Sequence, residues 1–508
     1  MSSLIQKLTA PNGRQIDLPT GLFINNEFVA GRDSPLESIN PTDETVICAV
    51  EAASTEDVHT AVKAARAAFE DPSWRNISPT SRGTLIHRLA DLIEADKEIL
   101  ATLETWDNGK PYKVALEEDI EEVLAVLRYF AGWADKIHGQ TIADVGPEPY
   151  KFAYTIKEPI GVCAQIIPWN YPLGMASWKL GPALACGNTV ILKPAEQTPL
   201  SILWVASLIP KAGFPPGVIN IINGLGSVAG AALASSPDVD KIAFTGSTRT
   251  AKQIMQLASS NLKDITLETG GKSPLIVFPD ADLEQASKWA NVGLMSNQGQ
   301  ICTATSRILV HEDVYDKFLE LLGASIQEWN VVGDPFEENT FQGPQVSRSQ
   351  YNVILGFIQR AKEDGAKLVL GGNPVNKGKG FFVEPTVFAG VTETMELFQE
   401  EVFGPVAAIT TFADESEAIR LANNSRYGLG AAIFTSDIQK AHRCITKLES
   451  GQVWVNSSND GDARIPFGGV KQSGIGRELG ETGLNAYCQT KAVHINISYK
   501  LGMAMPAS

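Results

Sequence analysis

The chain has 508 residues, which is more than one hydrophobic core usually holds, so we expect two or three domains. Hydrophobic residues make up 44% of the chain and charged residues 20%, as in ordinary globular proteins, and the formal net charge is −16. Because nucleic acids and anionic lipids require a basic face, this charge argues against binding to either of them.

In chain order, the first predicted feature is a loose tail over residues 1–20. Residues 55–133 are expected to be mainly helical, because apolar side chains recur there at helical spacing, and residues 117–134 have an amphipathic pattern. Polar and apolar side chains alternate over residues 150–157 and again over residues 491–498, which predicts two strands. Two strands are marginal alone, so we expect them to pair with each other or with another subunit.

Strands and helices alternate between these two segments. Short apolar runs predict strands at residues 161–167, 189–192, 218–222, 242–244, 265–267 and 275–278. Helices are predicted between most of them, at residues 177–186, 200–212, 227–234 and 250–260. A second block is predicted to have helices near residues 282–297, 312–329, 348–363, 414–423 and 437–448. Such alternation predicts an α/β fold with helices on both faces of a parallel sheet.

The segment Ser296–Arg307 places Cys302 after a polar, glycine-containing loop and before a β-like run. A structural cysteine more often lies among aliphatic residues. Taken alone, this segment leaves two interpretations open, a nucleophilic thiol and an inert core thiol.

Two other segments end predicted strands with polar side chains. Glu268 ends an apolar strand just before Gly270 and Gly271, and a carboxylate is rarely buried unless it is paired or functional. A glutamate that turns to solvent is the simpler alternative. Residues Ile167–Pro172 follow another strand, at the edge where ligands gather in open α/β sheets, although a proline-rich turn with a packing tryptophan also explains them.

Three turns after strands have features of a dinucleotide site. Asn223–Gly230 resembles GxGxxG but has Ala229 at the third glycine position, and we treat it as a decoy. Phe244–Thr248 is the better phosphate candidate, because it opens a helix whose backbone N–H groups would face a pyrophosphate. Glu196, three residues after Lys193, would accept hydrogen bonds from an adenosine ribose and repel a 2′-phosphate, although such a tetrapeptide is common in surface turns.

The six cysteines and six histidines are dispersed, with neither a CxxC pair nor an HExxH motif. This pattern is typical of free thiols in a reducing compartment and gives no support for a metal site. No run of eighteen apolar residues and no secretory signal is visible, so we expect a cytoplasmic protein without a membrane span.

Taken together, in this order and spacing, seven segments closely resemble the NAD(P)-dependent aldehyde dehydrogenase superfamily over about residues 20–495. The likeness is greatest to its broad-specificity and betaine-aldehyde-like branch. The segments are Pro168–Pro172, Lys193–Glu196, Phe244–Thr248, Leu267–Lys272, Gly299–Cys302, Glu401–Pro405 and Pro466–Gly469.

The resemblance implies a subunit of three parts. A Rossmann-type coenzyme domain would use residues 20–138 and 160–271, and an α/β catalytic domain would use residues 272–483. A small β oligomerisation domain would use residues 139–159 and 484–500. The resemblance also implies NAD as the cofactor, a small aldehyde as the substrate, and a homodimer or homotetramer.

The resemblance further assigns catalytic roles. Cys302 is similar to the family's nucleophile and Glu268 to its general base. Asn170 is similar to the oxyanion-hole residue, which acts with the backbone N–H of Cys302. Lys179 and Glu478 match a pair that relays the proton from the base.

Nine positions match cofactor contacts of the family. Among them, Lys193 and Glu196 match contacts to the adenosine ribose, and Ser247 matches a contact to the pyrophosphate. Glu401 matches the carboxylate on the nicotinamide ribose, and Phe403 packs near the nicotinamide ring. The nine positions are Ile167, Pro168, Trp169, Lys193, Glu196, Gly246, Ser247, Glu401 and Phe403.

A substrate tunnel is implied between Tyr171, Met175, Trp178, Gly461 and Phe467, with residues 459–464 at its rim. Some relatives carry a bulky aromatic residue at position 461, so glycine predicts a wider tunnel that admits medium-sized or aromatic aldehydes. Contact with solvent explains the charged side chains of the rim at least as well as contact with substrate.

Two positions depart from the family's pattern. Ala251 stands where a second glycine is common, and Thr269 stands where leucine is common.

The implied reaction is the oxidation of an aldehyde to a carboxylic acid through a thiohemiacetal and a thioester on Cys302. Branches that transfer the acyl group to coenzyme A usually lack the glutamate at position 268, so its presence favours hydrolysis. A specialised semialdehyde, aminoaldehyde or betaine aldehyde dehydrogenase is an alternative. A catalytically inactive structural relative is another, although it would be expected to have lost Cys302, Glu268, Asn170 or Glu401.

Overall fold

The computed structural model describes residues 4–143, 151–375 and 378–497. Within these ranges, two large sheets that are mostly parallel and three smaller sheets are covered by helices. The predicted α/β fold is therefore confirmed.

The first large sheet brings together strands from three parts of the chain. Its strands lie side by side in the order Gly474–Ile475, Asp264–Glu268, Lys241–Thr245, Val162–Ile166, Thr189–Lys193, Ile219–Ile221, Leu22–Ile24 and Glu27–Val29. The five strands from Asp264–Glu268 to Ile219–Ile221 are parallel, and the strands outside them are antiparallel to their neighbours. Because helices cover both faces of these parallel strands, their apolar side chains alternate between two cores. Cys163 contributes to one core, and Val162 and Ala164 contribute to the other.

The second large sheet is built from residues that follow the first along the chain. Its strands lie in the order Lys367–Leu370, Thr386–Ala389, Val406–Phe412, Arg307–His311, Pro274–Val277, Gly430–Phe434 and Gln452–Val455. All neighbours are parallel except the first pair. The chain passes from the first sheet to the second between Glu268 and Pro274 and later returns to the first at Gly474. The domain limits that the resemblance implies stay a prediction.

The predicted helices are confirmed, with shifts of a few residues at their ends. The α-helices are Thr55–Glu70, Pro72–Arg75, Pro79–Ala95, Lys97–Asn108, Tyr112–Val114, Ile120–Trp133, Pro172–Cys186, Leu200–Ala212, Ala231–Ser235, Thr248–Ala258, Leu283–Met295, Tyr315–Trp329, Arg348–Glu363, Glu396–Gln399, Glu415–Asn423, Ile438–Ile445 and Gly480–Asn485. Short π-helical segments are Ala115–Asp119 and Gly226–Gly230, and short 3₁₀ segments are Ser296–Gly299, Glu312–Val314 and Lys471–Ser473.

The two strands that were predicted from alternating side chains pair with each other. Lys151–Pro159 is antiparallel to Cys488–Asn496 on one side and to Thr141–Ile142 on the other. In this three-stranded sheet, Cys488–Asn496 is an edge strand, and Lys151–Pro159 is its one neighbouring strand among the described residues.

The prediction of a loose tail at residues 1–20 is wrong for the part that the structure describes. Ile5–Thr9 and Gln15–Pro19 form an antiparallel hairpin. Ile16 and Leu18 point to the same face and are buried against a small core that includes Leu103. Burial of this alternating apolar face orders a segment whose polar composition suggested a tail. A second two-stranded sheet, Asp33–Ile39 with Val46–Ala52, adds Val50 to this core.

No helix within the described ranges is long and apolar enough to cross a membrane.

Candidate active site

A cavity of about 1320 Å³ is lined by residues that follow strands of both large sheets. Because the carboxyl ends of parallel strands meet at one edge of a sheet, segments far apart in the chain converge there. The predicted site residues on the cavity wall are Pro168, Trp169, Asn170, Tyr171, Met175, Trp178, Gly246, Ser247, Glu268, Cys302, Glu401, Phe403, Gly461, Phe467 and Glu478. The predicted residues that lie off this wall are Ile167, Lys179, Lys193 and Glu196.

Cys302 is carried into the cavity by a tight turn after the helix Leu283–Met295. The backbone is left-handed at Asn297, Gln298 and Gly299, with φ of 48°, 59° and 72°. A Cβ atom at position 299 would lie 2.2 Å from the backbone carbon of Gly404, so a side chain is excluded there. The thiol is half-buried at the end of this turn.

The surroundings of Cys302 favour the protonated thiol. Burial raises its pKa to about 12, and the nearby carboxylates of Glu401 and Glu268 act in the same direction. Cys302 therefore needs a base, or a change in its surroundings, to react as a thiolate at neutral pH.

Asn170 is held in one orientation beside the Cys302 loop. Its Nδ2 donates to the carbonyl of Gln300 at 2.9 Å, and the Nδ2 of Asn297 donates to the carbonyl of Asn170 at 2.9 Å. A side-chain amide has two N–H groups, so the bond to Gln300 orients the group and leaves a second donor.

Glu268 ends its strand opposite Gly474 and is buried. A Cβ atom at Gly468 would lie 2.5 Å from Oε1, so the carboxyl group packs directly against that glycine. Burial raises the pKa of Glu268 well above its usual range, and the charge of Glu478 raises it further, while Lys179 and Arg477 oppose the shift. This carboxyl group therefore holds a proton more strongly than an exposed glutamate.

Lys179 and Glu478 form a fully buried ion pair. Lys179 Nζ lies 2.5 Å from Glu478 Oε1 and donates to Thr245 Oγ1 at 2.7 Å. Phe467 and Glu478 exchange two backbone hydrogen bonds of 2.7 Å each, which fix the segment that carries the carboxylate. The resemblance predicted that Lys179 and Glu478 would form a pair, and their side chains are in direct contact.

Glu401 lies across the junction between the two sheets. Its Oε1 accepts from the backbone N–H of Gly271 at 2.9 Å, and burial raises its pKa to about 7. A Cβ atom at Gly270 would lie 2.1 Å from Oε2, so the glycine makes room for the carboxylate. Near it, the rings of Trp169 and Phe403 meet edge to face at 5.2 Å.

Lys193 ends the strand Thr189–Lys193 of the first large sheet, and Glu196 follows three residues later. Lys193 Nζ donates to the carbonyl of Pro194 at 3.0 Å and lies 3.9 Å from Glu196 Oε2. Burial lowers the pKa of Lys193. Gly230, from the motif that we treated as a decoy, lies against the same lysine, since a Cβ there would be 3.9 Å from Lys193 Cδ.

Ser247 begins the helix Thr248–Ala258 and is exposed. Its Oγ accepts from the backbone N–H of Thr250 at 3.2 Å. The first turn of this helix thus faces the cavity next to Gly246.

Three residues near the site were missed by the sequence analysis. Glu122 accepts a hydrogen bond from Trp178 Nε1 at 2.8 Å on the cavity wall. The residue keeps accessible surface, but desolvation of its carboxyl group within the cavity raises its pKa to about 7. Asn108 and Lys110 contact the Trp169–Tyr171 segment. The Asn-Gly pair at positions 108 and 109 is typical of a turn, but nothing in the sequence indicates that this turn packs against residues 169–171.

The structure shows a contact for one of the two departures from the family's pattern. Thr269 is buried, and its Oγ1 donates to the carbonyl of Gln472 at 2.7 Å, a bond that leucine cannot make. Ala251 is buried in the helix Thr248–Ala258.

The family model described as the aldehyde dehydrogenase family matches residues 28–493. The chain belongs to the aldehyde dehydrogenase family.

Relatives in this family match almost the whole chain. The human mitochondrial aldehyde dehydrogenase is 51% identical over 500 residues, which are 97% of this chain and 95% of that protein. The NAD⁺ complex of an aldehyde dehydrogenase from Bacillus cereus has 48% identity and a TM-score of 0.91, and the match covers 94% of this chain and 96% of that one. A betaine aldehyde dehydrogenase from Staphylococcus aureus, also in complex with NAD⁺, has 41% identity and a TM-score of 0.93 over 96% of this chain and 97% of that one.

Among the described residues, no group of three or more His, Cys, Asp or Glu side chains has an arrangement that could hold a metal ion.

The raised pKa of Cys302 predicts slow alkylation at neutral pH in the protein without ligands. Only the thiolate reacts with iodoacetamide, and the pKa of the Cys302 thiol lies above the pH range of the assay. The fraction of thiolate, and with it the rate of alkylation, should therefore rise about tenfold per pH unit between about pH 7 and about pH 9. Mass spectrometry of the Cys302 peptide measures this rate. Glu268→Gln removes one of the carboxylates whose charge raises the pKa of Cys302, so it should speed alkylation most at the upper end of this pH range, where more of Glu268 is ionised, whereas the exposed control Glu284→Gln should have no effect. A rate that levels off below about pH 8 would contradict this prediction.

Proposed function

We propose that the protein oxidises an aldehyde to a carboxylic acid with NAD as the hydride acceptor, and that Cys302 is the nucleophile. The observation that carries this proposal is the convergence of Cys302, Glu268 and Asn170 on one cavity, from three separate segments of the chain.

The first step is attack of the Cys302 thiolate on the aldehyde carbon, which gives a tetrahedral thiohemiacetal. The negative charge that develops on the oxygen would be stabilised by the free N–H of Asn170 and by the backbone N–H of Cys302. Removal of one such donor typically costs about 10²–10³ in rate. The bond from Asn170 Nδ2 to the carbonyl of Gln300 holds the amide in place before the substrate arrives, and the bond from Asn297 Nδ2 to the backbone carbonyl of Asn170 holds the loop that carries it.

When bound, NAD would accept the hydride that leaves the thiohemiacetal carbon, and the product on Cys302 would be a thioester. Glu268 then takes a proton from the water that attacks the thioester, and the acid leaves as the thiol of Cys302 is restored. A base with a raised pKa accepts a proton more readily than an ordinary carboxylate. Lys179 and Glu478 would pass this proton away from the buried base.

The residues around the cavity fit a dinucleotide. The exposed first turn at Ser247 would offer backbone N–H groups to a pyrophosphate. The space left by the missing side chain of Gly270 is filled by the carboxylate of Glu401 at the cavity wall. Lys193 and Glu196 would hold the adenosine ribose, and Phe403 would pack near the nicotinamide. Ile167, Pro168, Trp169 and Gly246 complete the proposed contacts.

A homodimer or homotetramer is proposed, with the three-stranded sheet as the oligomerisation domain. As an edge strand of this sheet, Cys488–Asn496 would extend the sheet into another subunit. A cytoplasmic location stays a prediction, because one relative is a mitochondrial enzyme.

A second candidate substrate is an aldehyde with a cationic group, as in betaine aldehyde or aminoaldehydes. The observation that favours it is the carboxyl group of Glu122 on the cavity wall beside Trp178.

If the substrate is cationic, Glu122→Gln should lower kcat/KM for betaine aldehyde about tenfold or more, because one charge contact is lost. The value of kcat/KM for hexanal should be unchanged. Equal effects on both substrates would exclude this role for Glu122.

Cys302→Ala should abolish dehydrogenase activity and leave NAD binding intact, because the thiol is the attacking atom. Absorbance of the reduced cofactor measures turnover, and quenching of protein fluorescence measures binding. Cys163→Ala, in the core of the first sheet, is the matched control and should keep its activity. Substantial turnover by Cys302→Ala would disprove the assignment of the nucleophile.

The carboxylate of Glu196 predicts a preference for NAD over NADP, because it would repel a 2′-phosphate. Its half-exposed position and its 3.9 Å distance from Lys193 make this preference modest. Glu196→Ser should raise kcat/KM with NADP and bring the two cofactors closer together. Equal efficiency with both cofactors in the unaltered protein would show that Glu196 does not discriminate between them.

Gly461 predicts an open tunnel, since a Cβ atom there meets no heavy atom within 4 Å and the residue lies on the cavity wall. We expect hexanal and benzaldehyde to be used at least as efficiently as acetaldehyde. Gly461→Phe should lower the ratio of kcat/KM for benzaldehyde to that for acetaldehyde about tenfold or more, with Gly461→Ala as the control. If the ratio is unchanged in Gly461→Phe, residue 461 does not shape the tunnel.

A further inference from the structure

Asn108 and Lys110 contact Trp169 and Tyr171, the residues on either side of Asn170. Asn108 Nδ2 donates to the carbonyl of Trp169 at 2.6 Å. Lys110 Nζ lies 4.1 Å from the centre of the Tyr171 ring. Asn170 is therefore the residue between two contacts that come from one turn.

The turn is closely packed. It closes the helix Lys97–Asn108 through Gly109, which has a left-handed φ of 88°. A Cβ atom at Gly109 would lie 2.9 Å from Pro344 Cγ and 3.0 Å from Pro41 Cγ, so the turn is wedged between two prolines. Its position is fixed by packing that does not involve the cavity.

Lys110 is a fully buried cation, and its partner is the buried carboxylate of Asp119 in the π-helical segment Ala115–Asp119. A buried charge is costly unless it is paired, so this ion pair fixes the ammonium group over the Tyr171 ring. A cation above an aromatic face attracts the ring and limits its movement.

We propose that Lys110 is a positioning residue, which fixes Tyr171 and through it the amide of Asn170. This proposal rests on the role of Asn170 in stabilising the oxyanion, as given under the proposed function. A donor aimed at a developing charge accelerates a reaction only when it is held in place beforehand. Lys110 does not line the cavity, although its partner Asp119 does, so Lys110 acts through the loop and not on the substrate.

The test replaces both members of the ion pair, so that neither Lys110 nor Asp119 is left buried without the other. Lys110→Met with Asp119→Asn should lower kcat about 10- to 100-fold, the size expected when a reacting group is misplaced, while the Kd of NAD stays unchanged. Lys110→Arg should restore most of kcat, since a guanidinium group also pairs with a carboxylate and stacks on an aromatic ring.

A partly exposed ion pair beside an aromatic ring, away from the cavity wall, provides a control. Lys440 pairs with Asp280 at 2.7 Å and lies 4.8 Å from the Phe278 ring, and none of these residues lines the cavity. Lys440→Met with Asp280→Asn should leave kcat within about threefold of the unaltered protein, whatever it does to stability.

A double-mutant cycle separates positioning from general damage. If Lys110 acts through the Tyr171 ring, removing the ion pair in a Tyr171→Leu background should change kcat less than about threefold. A loss of kcat of the same size in both backgrounds, or no loss in the ion-pair variant, would overturn the proposal.

Asn170→Ala distinguishes this proposal from the one on which it rests. Full turnover by Asn170→Ala would overturn both. A loss of turnover in Asn170→Ala, together with normal kcat in the ion-pair variant, would overturn only the role of Lys110.

Discussion

Two glycines, Gly270 and Gly271, join the two large sheets, and the side chains of the candidate site lie directly against them. A Cβ atom at Gly270 would meet the carboxylate of Glu401 at 2.1 Å, and one at Gly271 would meet the backbone oxygen of Cys302 at 2.4 Å. The strand that ends in Glu268 and the loop that carries Cys302 can approach each other only because both side chains are missing. The cavity and the proposed chemistry depend on this close contact between backbones.

The same close packing sets the acid–base properties of the site. Burial raises the pKa values of Cys302, Glu268 and Glu401 together, and the two carboxylates add to the shift of the thiol. The thiol is therefore inactive until a proton is removed from it, and Glu268 is a nearby group with a raised affinity for protons. The buried ion pair of Lys179 and Glu478 also acts on Glu268, since Glu478 raises the pKa of Glu268 and Lys179 lowers it.

The parallel strands and most helices could be predicted from the sequence, because a strand that is covered on both faces, such as Thr189–Lys193, is a continuous apolar run. The roles of the site residues came from the family resemblance, since periodicity does not distinguish a buried thiol from a nucleophile. The hairpin near the N-terminus was missed because its order depends on burial against residues such as Leu103. The return of Gly474–Ile475 to the first sheet and the contact of Lys110 with Tyr171 were missed for a related reason. In each of these cases a short segment packs against residues that are distant in the chain.

Covalent catalysis at Cys302 is tested most directly by the mass of the Glu268→Gln protein, quenched in acid after mixing with an aldehyde and NAD. Because the thioester would still form while its hydrolysis is slowed, the protein should gain the mass of one acyl group, and peptide mapping should place that group on Cys302. The acyl group should be absent when the same experiment is done with Cys302→Ala. An unmodified Cys302 during turnover at the normal rate, or an acyl group on another residue, would contradict the covalent mechanism.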